Sequence, residues 1–132
     1  MLTDRVLEEG SLREVGETLS FDIRIPWYRS LPLSCVEGLD VTVDGATIAE
    51  DDVRIVFNGT TYCLGELSPL YDDWWQVTDA ARVTVPRGGR SAEGSHEVDV
   101  TLALRIPYIV EQERRLVMHE RCVKTLTAGV AS

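Results

Sequence analysis

Apolar and polar residues alternate with a period of two along most of the chain, and this pattern limits the possible fold more than any other feature. In residues 18–25 the apolar side chains occupy every second position, and residues 97–106 repeat the arrangement. Such alternation is typical of an antiparallel strand with one face in the core and the other in water. We therefore predict long strands at 18–26 and 96–106. Their predicted core residues include Phe21, Ile23, Val100 and Leu102.

Shorter alternating runs and turn-forming pairs extend the same pattern over the rest of the chain. Asp44-Gly45 and Asn58-Gly59 each lie between apolar runs, and both pairs tolerate the positive φ angles that a two-residue hairpin turn requires. No segment predicts a long amphipathic helix, although residues 111–127 fit either a strand or a helix. The prediction is all-β: a single-domain antiparallel β-sandwich with little helix over residues 1–132.

Charge and cysteine content exclude several classes of protein. The net charge is −9, which argues against nucleic-acid binding because phosphate recognition depends on clustered Lys and Arg. No apolar run approaches transmembrane length, and the acidic first nine residues do not resemble a secretory signal. The three cysteines have no ligand-like or disulfide-like spacing. We expect a cytoplasmic protein with reduced thiols and no membrane or nucleic-acid partner.

The residue types that carry catalysis form no recognisable set in this sequence. Its two histidines have no Cys or Glu at metal-ligand spacing, and a Gly-x-Ser-x-Gly nucleophile motif is absent. Adjacent carboxylates such as Asp72-Asp73 point to opposite faces of an extended chain, so they do not form an acid and base pair. The sequence therefore predicts no catalytic residue and no metal ligand. An enzyme that uses His96 as a base stays open as an alternative, and it requires activity from the isolated chain.

The most distinctive motif is Arg-Ile-Pro-aromatic, which occurs at 24–27 and again at 105–108. Proline cannot donate to a strand ladder, so it usually ends a strand or lies at an edge. We predict that two strands end at one rim of the sandwich, where arginine and aromatic side chains form a surface for a partner. The predicted surface consists of Arg24, Pro26, Trp27, Tyr28, Arg29, Trp74, Arg105 and Tyr108.

Two structural alternatives accompany this interpretation. Arg24 and Arg105 could act as internal props that hold the loops of the rim. Trp75 is expected to fill the open end of the sandwich, because a tryptophan left in water is unfavourable.

Several short motifs occur in a fixed order along the chain: Arg24–Arg29, Leu33-Ser34, Val41–Gly45, Trp75 ahead of Val83–Val85, Gly88-Gly89, Gly94–Val98 and Arg105–Tyr108. Together, over about residues 5–125, they resemble the β subunits of bacterial C-glycoside deglycosidases. Ser30 and Arg90 depart from the pattern of that family, and both lie in predicted loops.

The resemblance implies an accessory β-sandwich subunit that pairs with a larger TIM-barrel α subunit. That partner is expected to hold a divalent metal, Mn or Mg, whereas this chain is expected to hold no cofactor and to be inactive alone. The implied substrate is a 3-oxo-C-glycoside, whose C–C glycosidic bond is cleaved by β-elimination at the partner's site. An alternative from another class is a free-standing carbohydrate-binding module, in which Trp27, Trp74 or Trp75 stacks on a sugar.

Overall fold

The computed structural model describes residues 6–8, 10–15, 17–26, 29–87, 95–111 and 114–127, without the side chains of residues 14–15, 107–111 and 114–115. Within these ranges the chain forms strands joined by turns and by single 3₁₀ turns at Leu33–Cys35, Glu50–Asp52 and Leu64–Glu66. The strands are β1 (Arg13–Val15), β2 (Thr18–Ile23), β3 (Leu31–Pro32), β4 (Val36–Val43), β5 (Ala46–Ile48), β6 (Arg54–Phe57), β7 (Thr60–Cys63), β8 (Trp74–Trp75), β9 (Ala81–Pro86), β10 (Ser95–Glu111) and β11 (Arg114–Thr127).

These strands form two main antiparallel sheets and one short ribbon. The first sheet has the order β1-β2-β9-β6-β7, and the second has the order β11-β10-β4-β5. The ribbon pairs β3 with β8, and each of its strands is two residues long. The alternating faces of both sheets contribute to one hydrophobic core. This arrangement confirms the predicted all-β sandwich.

The predicted core positions of the two long strands are confirmed. Phe21 and Ile23 in β2 are buried, as are Val100 and Leu102 in β10. The ladder of β2 ends at Ile23, slightly earlier than predicted, although Ile25 is still buried. Each buried aliphatic or aromatic side chain stabilises the fold by about 1.5–3 kcal/mol relative to an exposed position.

Both predicted hairpin turns have the backbone that their sequences favour. Asp44 and Gly45 have φ angles of 51° and 84°, and Asn58 and Gly59 have φ angles of 52° and 81°. Positive φ at both central residues gives the turn a twist that matches the flanking strands. The first turn joins β4 to β5, and the second joins β6 to β7.

The second Arg-Ile-Pro-aromatic segment does not end its strand, so this part of the prediction is wrong. β10 continues through Pro107 to Glu111. Its pairing with β11 shifts register between Ile106, opposite Leu116, and Val110, opposite Arg115. Because β10 advances four residues while β11 advances one, the proline falls in a bulge where no regular ladder hydrogen bond is required. The ambiguous stretch after residue 111 is resolved as strand β11 from Arg114 to Thr127.

Candidate partner-binding surface

The β3–β8 ribbon presents one tryptophan to the core and the next to solvent. Trp75 is only 2% exposed, and its ring packs edge-on against Phe57 with centroids 5.3 Å apart. Its indole Nε1 donates a hydrogen bond to the backbone oxygen of Asp79 at 3.0 Å. Trp74 is 44% exposed, because successive side chains of a strand point to opposite faces. Trp75 therefore lies in the core, which confirms its expected burial.

Arg24 ties the end of β2 to the segment that follows β8. Its Nη1 donates to the backbone oxygen of Thr78 at 3.0 Å, and its Nη2 donates to Oε1 of Glu8 at 3.0 Å. The planar guanidinium can serve a carbonyl and a carboxylate at once, which a lysine ammonium does with less geometric definition. About a third of the side chain is exposed. Arg24 thus holds these segments together from inside the fold, and part of its side chain is exposed to solvent.

Arg105 makes equivalent contacts with the segment that follows β3. Its Nη2 donates to the backbone oxygen of Ser34 at 3.1 Å, and its Nη1 approaches Oε1 of Glu37 at 3.4 Å. Ser34 lies in the 3₁₀ turn Leu33–Cys35 that follows β3, so this contact fixes the chain just after it leaves the ribbon. Burial raises the pKa of the neighbouring Cys35 thiol, and the Arg105 guanidinium partly opposes that rise. The two arginines of the repeated motif therefore flank one ribbon.

Further hydrogen bonds hold the ribbon against its surroundings. Leu33 N donates to Asp73 O at 2.8 Å, and the Asn58 side-chain amide donates to Trp74 O at 3.2 Å. The Ser30 hydroxyl accepts from Val77 N at 2.8 Å and donates to Oε1 of Gln76 at 3.1 Å. Ser30, where the resemblance led us to expect glycine, is thus a structural contact that sequence reasoning missed.

Residues 71–74, at the start of the anchored strand β8, form an exposed aromatic and acidic surface. We call these residues the aromatic–acidic patch. Tyr71 is 67% exposed and Trp74 is 44% exposed, and the carboxylates of Asp72 and Asp73 lie between them in the chain and are exposed as well. Large exposed aromatic side chains are typical of interaction sites. Tyr71 was not among the predicted site residues, although its position directly before Asp72-Asp73 and close to Trp74 was a usable signal.

The remaining predicted site residues fall in different environments. Pro26 is buried, and Arg29 is exposed. Trp27 and Tyr28 lie outside the described residues, as does the side chain of Tyr108. The predicted roles of these three aromatic residues stay predictions.

His96 occupies a structural position in the second sheet. Its Nδ1 lies 2.6 Å from Oδ2 of Asp44, and the other oxygen of Asp44 accepts from the backbone N of Glu97 at 2.9 Å. These contacts join the β4–β5 turn to the first residues of β10. The described part of the chain brings no three His, Cys, Asp or Glu side chains together as a metal site. It also contains no helix long and apolar enough to cross a membrane.

Comparison with known proteins shows which sequences this chain is similar to. The family model described as "C-glycoside deglycosidase beta subunit" matches residues 2–108. A protein of that name from Microbacterium trichothecenolyticum is 38% identical over 132 residues, with 99% of this chain and all of the relative covered. A "3'-dehydrocarminate deglycosidase beta subunit" from a Microbacterium species is 41% identical over 97% of this chain and all of the relative. A C-glycoside deglycosidase beta subunit from Arthrobacter globiformis is 36% identical over 96% of each chain.

Proposed function

The chain belongs to the C-glycoside deglycosidase β-subunit family, and from that premise we propose that it is the accessory subunit of a heteromeric deglycosidase. In this proposal it supports a larger TIM-barrel α subunit that cleaves the C–C glycosidic bond of 3-oxo-C-glycosides. The observation that carries the proposal is the end-to-end match to relatives named as subunits. The family name implies a partner subunit, and we propose that the assembly is cytoplasmic.

The proposed reaction explains why ordinary glycosidase machinery is not required. A C–C glycosidic bond has no oxygen for a general acid to protonate, so a carboxylate pair cannot cleave it by the usual route. A ketone at C3 acidifies the proton on C2, and removal of that proton by a base lets the aglycone carbon leave from C1 and take up a proton. A divalent metal held by the α subunit, Mn²⁺ or Mg²⁺, would stabilise the developing negative charge.

We propose that this chain contributes by holding interface side chains in place. Arg24 and Arg105 bond the segments that follow β8 and β3, and the buried Trp75 fixes the ribbon in the core. Trp74 is therefore presented to solvent from a rigid support. A rigid aromatic anchor loses little conformational entropy on binding, which makes it an effective centre for an interface. We propose that the aromatic–acidic patch docks on the α subunit together with Trp27, Tyr28, Arg29 and Tyr108.

A carbohydrate-binding module is the second candidate, and the composition of the patch favours it. Exposed Tyr71 and Trp74 offer faces on which a sugar ring can stack, and Asp72 and Asp73 offer acceptors for sugar hydroxyl groups. This candidate predicts that the isolated chain binds glycosides and remains a single subunit in the presence of a barrel partner.

Co-expression with a TIM-barrel partner and measurement of binding between the purified chains test the proposal. Trp74→Ala should weaken the complex by about 2 kcal/mol, which is about thirtyfold in Kd, because truncated interface anchors cost that much. Val123→Ala is the matched control, since Val123 is exposed to the same 44% but lies on β11. Equal effects of both substitutions would contradict docking through the patch. Glycoside binding by the isolated chain that Trp74→Ala abolishes would favour the second candidate.

Substitution of His96 tests whether the catalytic base lies in this chain or in the α subunit. His96→Ala should leave the single-turnover rate of the saturated complex nearly unchanged, since the base is proposed to lie in the α subunit. A hundredfold loss in an intact, folded complex would show that this chain is catalytic. Asp44→Asn is the matched control, because it removes the carboxylate charge beside His96 and keeps the imidazole.

A further inference from the structure

Asn58 is the only asparagine in the sequence, and it is followed by glycine in an exposed turn. Asn58 and Gly59 are the two central residues of the turn between β6 and β7, and both have positive φ angles. The ladder of the two strands ends at the pair Phe57–Thr60, so the peptide N–H between Asn58 and Gly59 lies beyond that ladder. A backbone nitrogen and a side-chain amide therefore lie together at the tip of one hairpin.

These two groups can react with each other. The backbone nitrogen of Gly59 attacks Cγ of Asn58, and the new C–N bond closes a cyclic imide. The bond from Cγ to Nδ2 breaks, and Nδ2 leaves as ammonia with the proton that the Gly59 nitrogen gives up. Water then opens the imide at one of its two carbonyl carbons and leaves aspartate or isoaspartate. The steps consume only water, and no atom is oxidised or reduced.

The residue after Asn58 favours ring closure. Glycine has no side chain to obstruct its own nitrogen, and its backbone reaches conformations that other residues avoid. A Cβ placed on Gly59 would meet no other atom within 4 Å, so the space around this residue is open. The approach to Cγ is therefore limited by the native position of the Asn58 amide and not by crowding.

That position is set by a hydrogen bond to the ribbon. Nδ2 of Asn58 donates to Trp74 O at 3.2 Å. Ring closure expels this same nitrogen, so the hydrogen bond has to open before the reaction can finish. Trp74 lies in β8, and the β3–β8 ribbon pairs only two residues of each strand. Short exposed elements open locally at a lower free energy than the whole fold, so opening of the ribbon should control the reaction.

The other hairpin turn of the same backbone type provides a contrast. Asp44 and Gly45 also have positive φ angles. The two carboxylate oxygens of Asp44 lie against Nδ1 of His96 and the backbone N of Glu97. An ionised carboxylate is a weaker electrophile than an amide, and here it has contacts at both oxygens. The Asn58-Gly59 turn is therefore the reactive one of the two.

We propose that Asn58 is a site of spontaneous deamidation, that its hydrogen bond to Trp74 O controls the rate, and that the product loosens the ribbon. A carboxylate can only accept hydrogen bonds, and Trp74 O is also an acceptor, so the product cannot replace the lost contact. Isoaspartate also adds a carbon atom to the backbone path of a turn that fits only two residues. The modification goes beyond the proposed function, because it requires no α subunit.

Peptide mapping by mass spectrometry of the full-length chain, incubated at mildly alkaline pH, tests the site. The peptide that contains Asn58 should gain the mass difference between an NH₂ and an OH group. Asn58→Gly, which keeps a residue that tolerates positive φ, should show no such gain. The chain unfolded in urea gives the unrestrained rate, and the folded chain should react at least about tenfold more slowly. A folded chain that stays unmodified while the unfolded chain reacts completely would overturn the proposal.

A pair of core substitutions tests control by the ribbon. Trp75→Ala should accelerate deamidation of the folded chain about tenfold more than Leu102→Ala does, because Leu102 is buried in the second sheet. Far-UV circular dichroism shows that each variant is folded. If Trp75→Ala does not fold, Leu31→Ala replaces it, since Leu31 pairs with Trp75 in the ribbon. Equal acceleration by the two folded variants would assign the reaction to global unfolding and overturn the proposal.

Hydrogen exchange tests the effect of the product on the ribbon. Asn58→Asp and Asn58→Gly both remove the donor to Trp74 O, but only Asn58→Asp puts a carboxylate in its place. The amide of Leu33, which donates to Asp73 O beside the ribbon, should exchange faster in Asn58→Asp than in Asn58→Gly. Equal exchange in the two variants would overturn the proposed loosening.

Discussion

The two Arg-Ile-Pro-aromatic segments share a sequence pattern but differ in backbone. After Ile23 the first segment leaves its sheet, whereas the second continues in β10 past Pro107 to Glu111. The difference comes from the neighbouring strand. β11 follows β10 as a hairpin partner and accommodates the irregularity as a register shift near Ile106. A proline therefore interrupts a ladder locally, and the partner strand decides whether the strand ends there.

Their arginines nevertheless have the same role in the two segments. Each donates to a backbone carbonyl beside the ribbon, Thr78 for Arg24 and Ser34 for Arg105, and each pairs with a carboxylate from a nearby segment. The two segments therefore share the role of their arginine but differ in their strand structure. The ribbon is the element that both segments support.

The largest effect should come from removing the residue that fixes this shared ribbon. Trp75→Ala should lower the free energy of unfolding by about 3–5 kcal/mol, because it leaves a cavity and unpairs the carbonyl of Asp79. Trp74→Ala, on the exposed face of the same strand, should change it by about 0.5 kcal/mol. Chemical denaturation of the two variants measures the contrast. Equal losses would mean that the ribbon is not an extension of the core.

The next effect concerns the aromatic residues that close the two segments. Trp27→Ala should weaken the complex with the α subunit by about 2 kcal/mol or more, as expected of an interface anchor. Excess mutant subunit should partly restore activity, since mass action drives reassembly. Tyr108→Ala should act in the same direction if both segments face the partner. An effect of Trp27→Ala alone would confine the interface to the first segment.

The arginines themselves should have smaller and similar effects on stability. Arg24→Ala and Arg105→Ala should each lower the unfolding free energy by about 1 kcal/mol, because the contacts are charge-assisted but partly exposed to solvent. Replacement by lysine should recover only part of the loss, since an ammonium lacks the planar fork. Denaturant titrations of the four variants provide the measurement. Full recovery by lysine would show that charge alone matters.

The smallest effect should be a difference between the two arginine variants in how their stability depends on pH. Because burial raises the pKa of the Cys35 thiol, the folded state keeps that proton to higher pH than the unfolded state does. Stability should therefore fall as pH rises from the ordinary thiol pKa toward the raised folded value. Arg105→Ala removes an opposing influence and should steepen the loss, whereas Arg24→Ala should not. Cys35→Ala should abolish this part of the pH dependence, and its persistence would assign the effect to another group.

Much of the architecture was predictable because it depends on local rules. Alternation predicts the buried face of β2 and β10 from any short window, and Asp-Gly and Asn-Gly favour hairpin turns through their own backbone preferences. The family resemblance followed from motifs in order along the chain, and the comparisons confirm it. Among the predicted site residues, the position of both arginines beside one ribbon depends on the pairing of β3 with β8, which no local rule predicts.

The sequence by itself determined which residues face inward along each strand and where the tight turns lie, because side-chain direction in a strand has a fixed period. Tertiary structure alone decided that β9 lies between β2 and β6, that β10 passes its proline, and that β3 and β8 pair as a ribbon. It also decided that Arg24 and Arg105 share one ribbon. These outcomes depend on partners distant in sequence, and the free energy of such contacts is set by which strands meet and not by any local pattern.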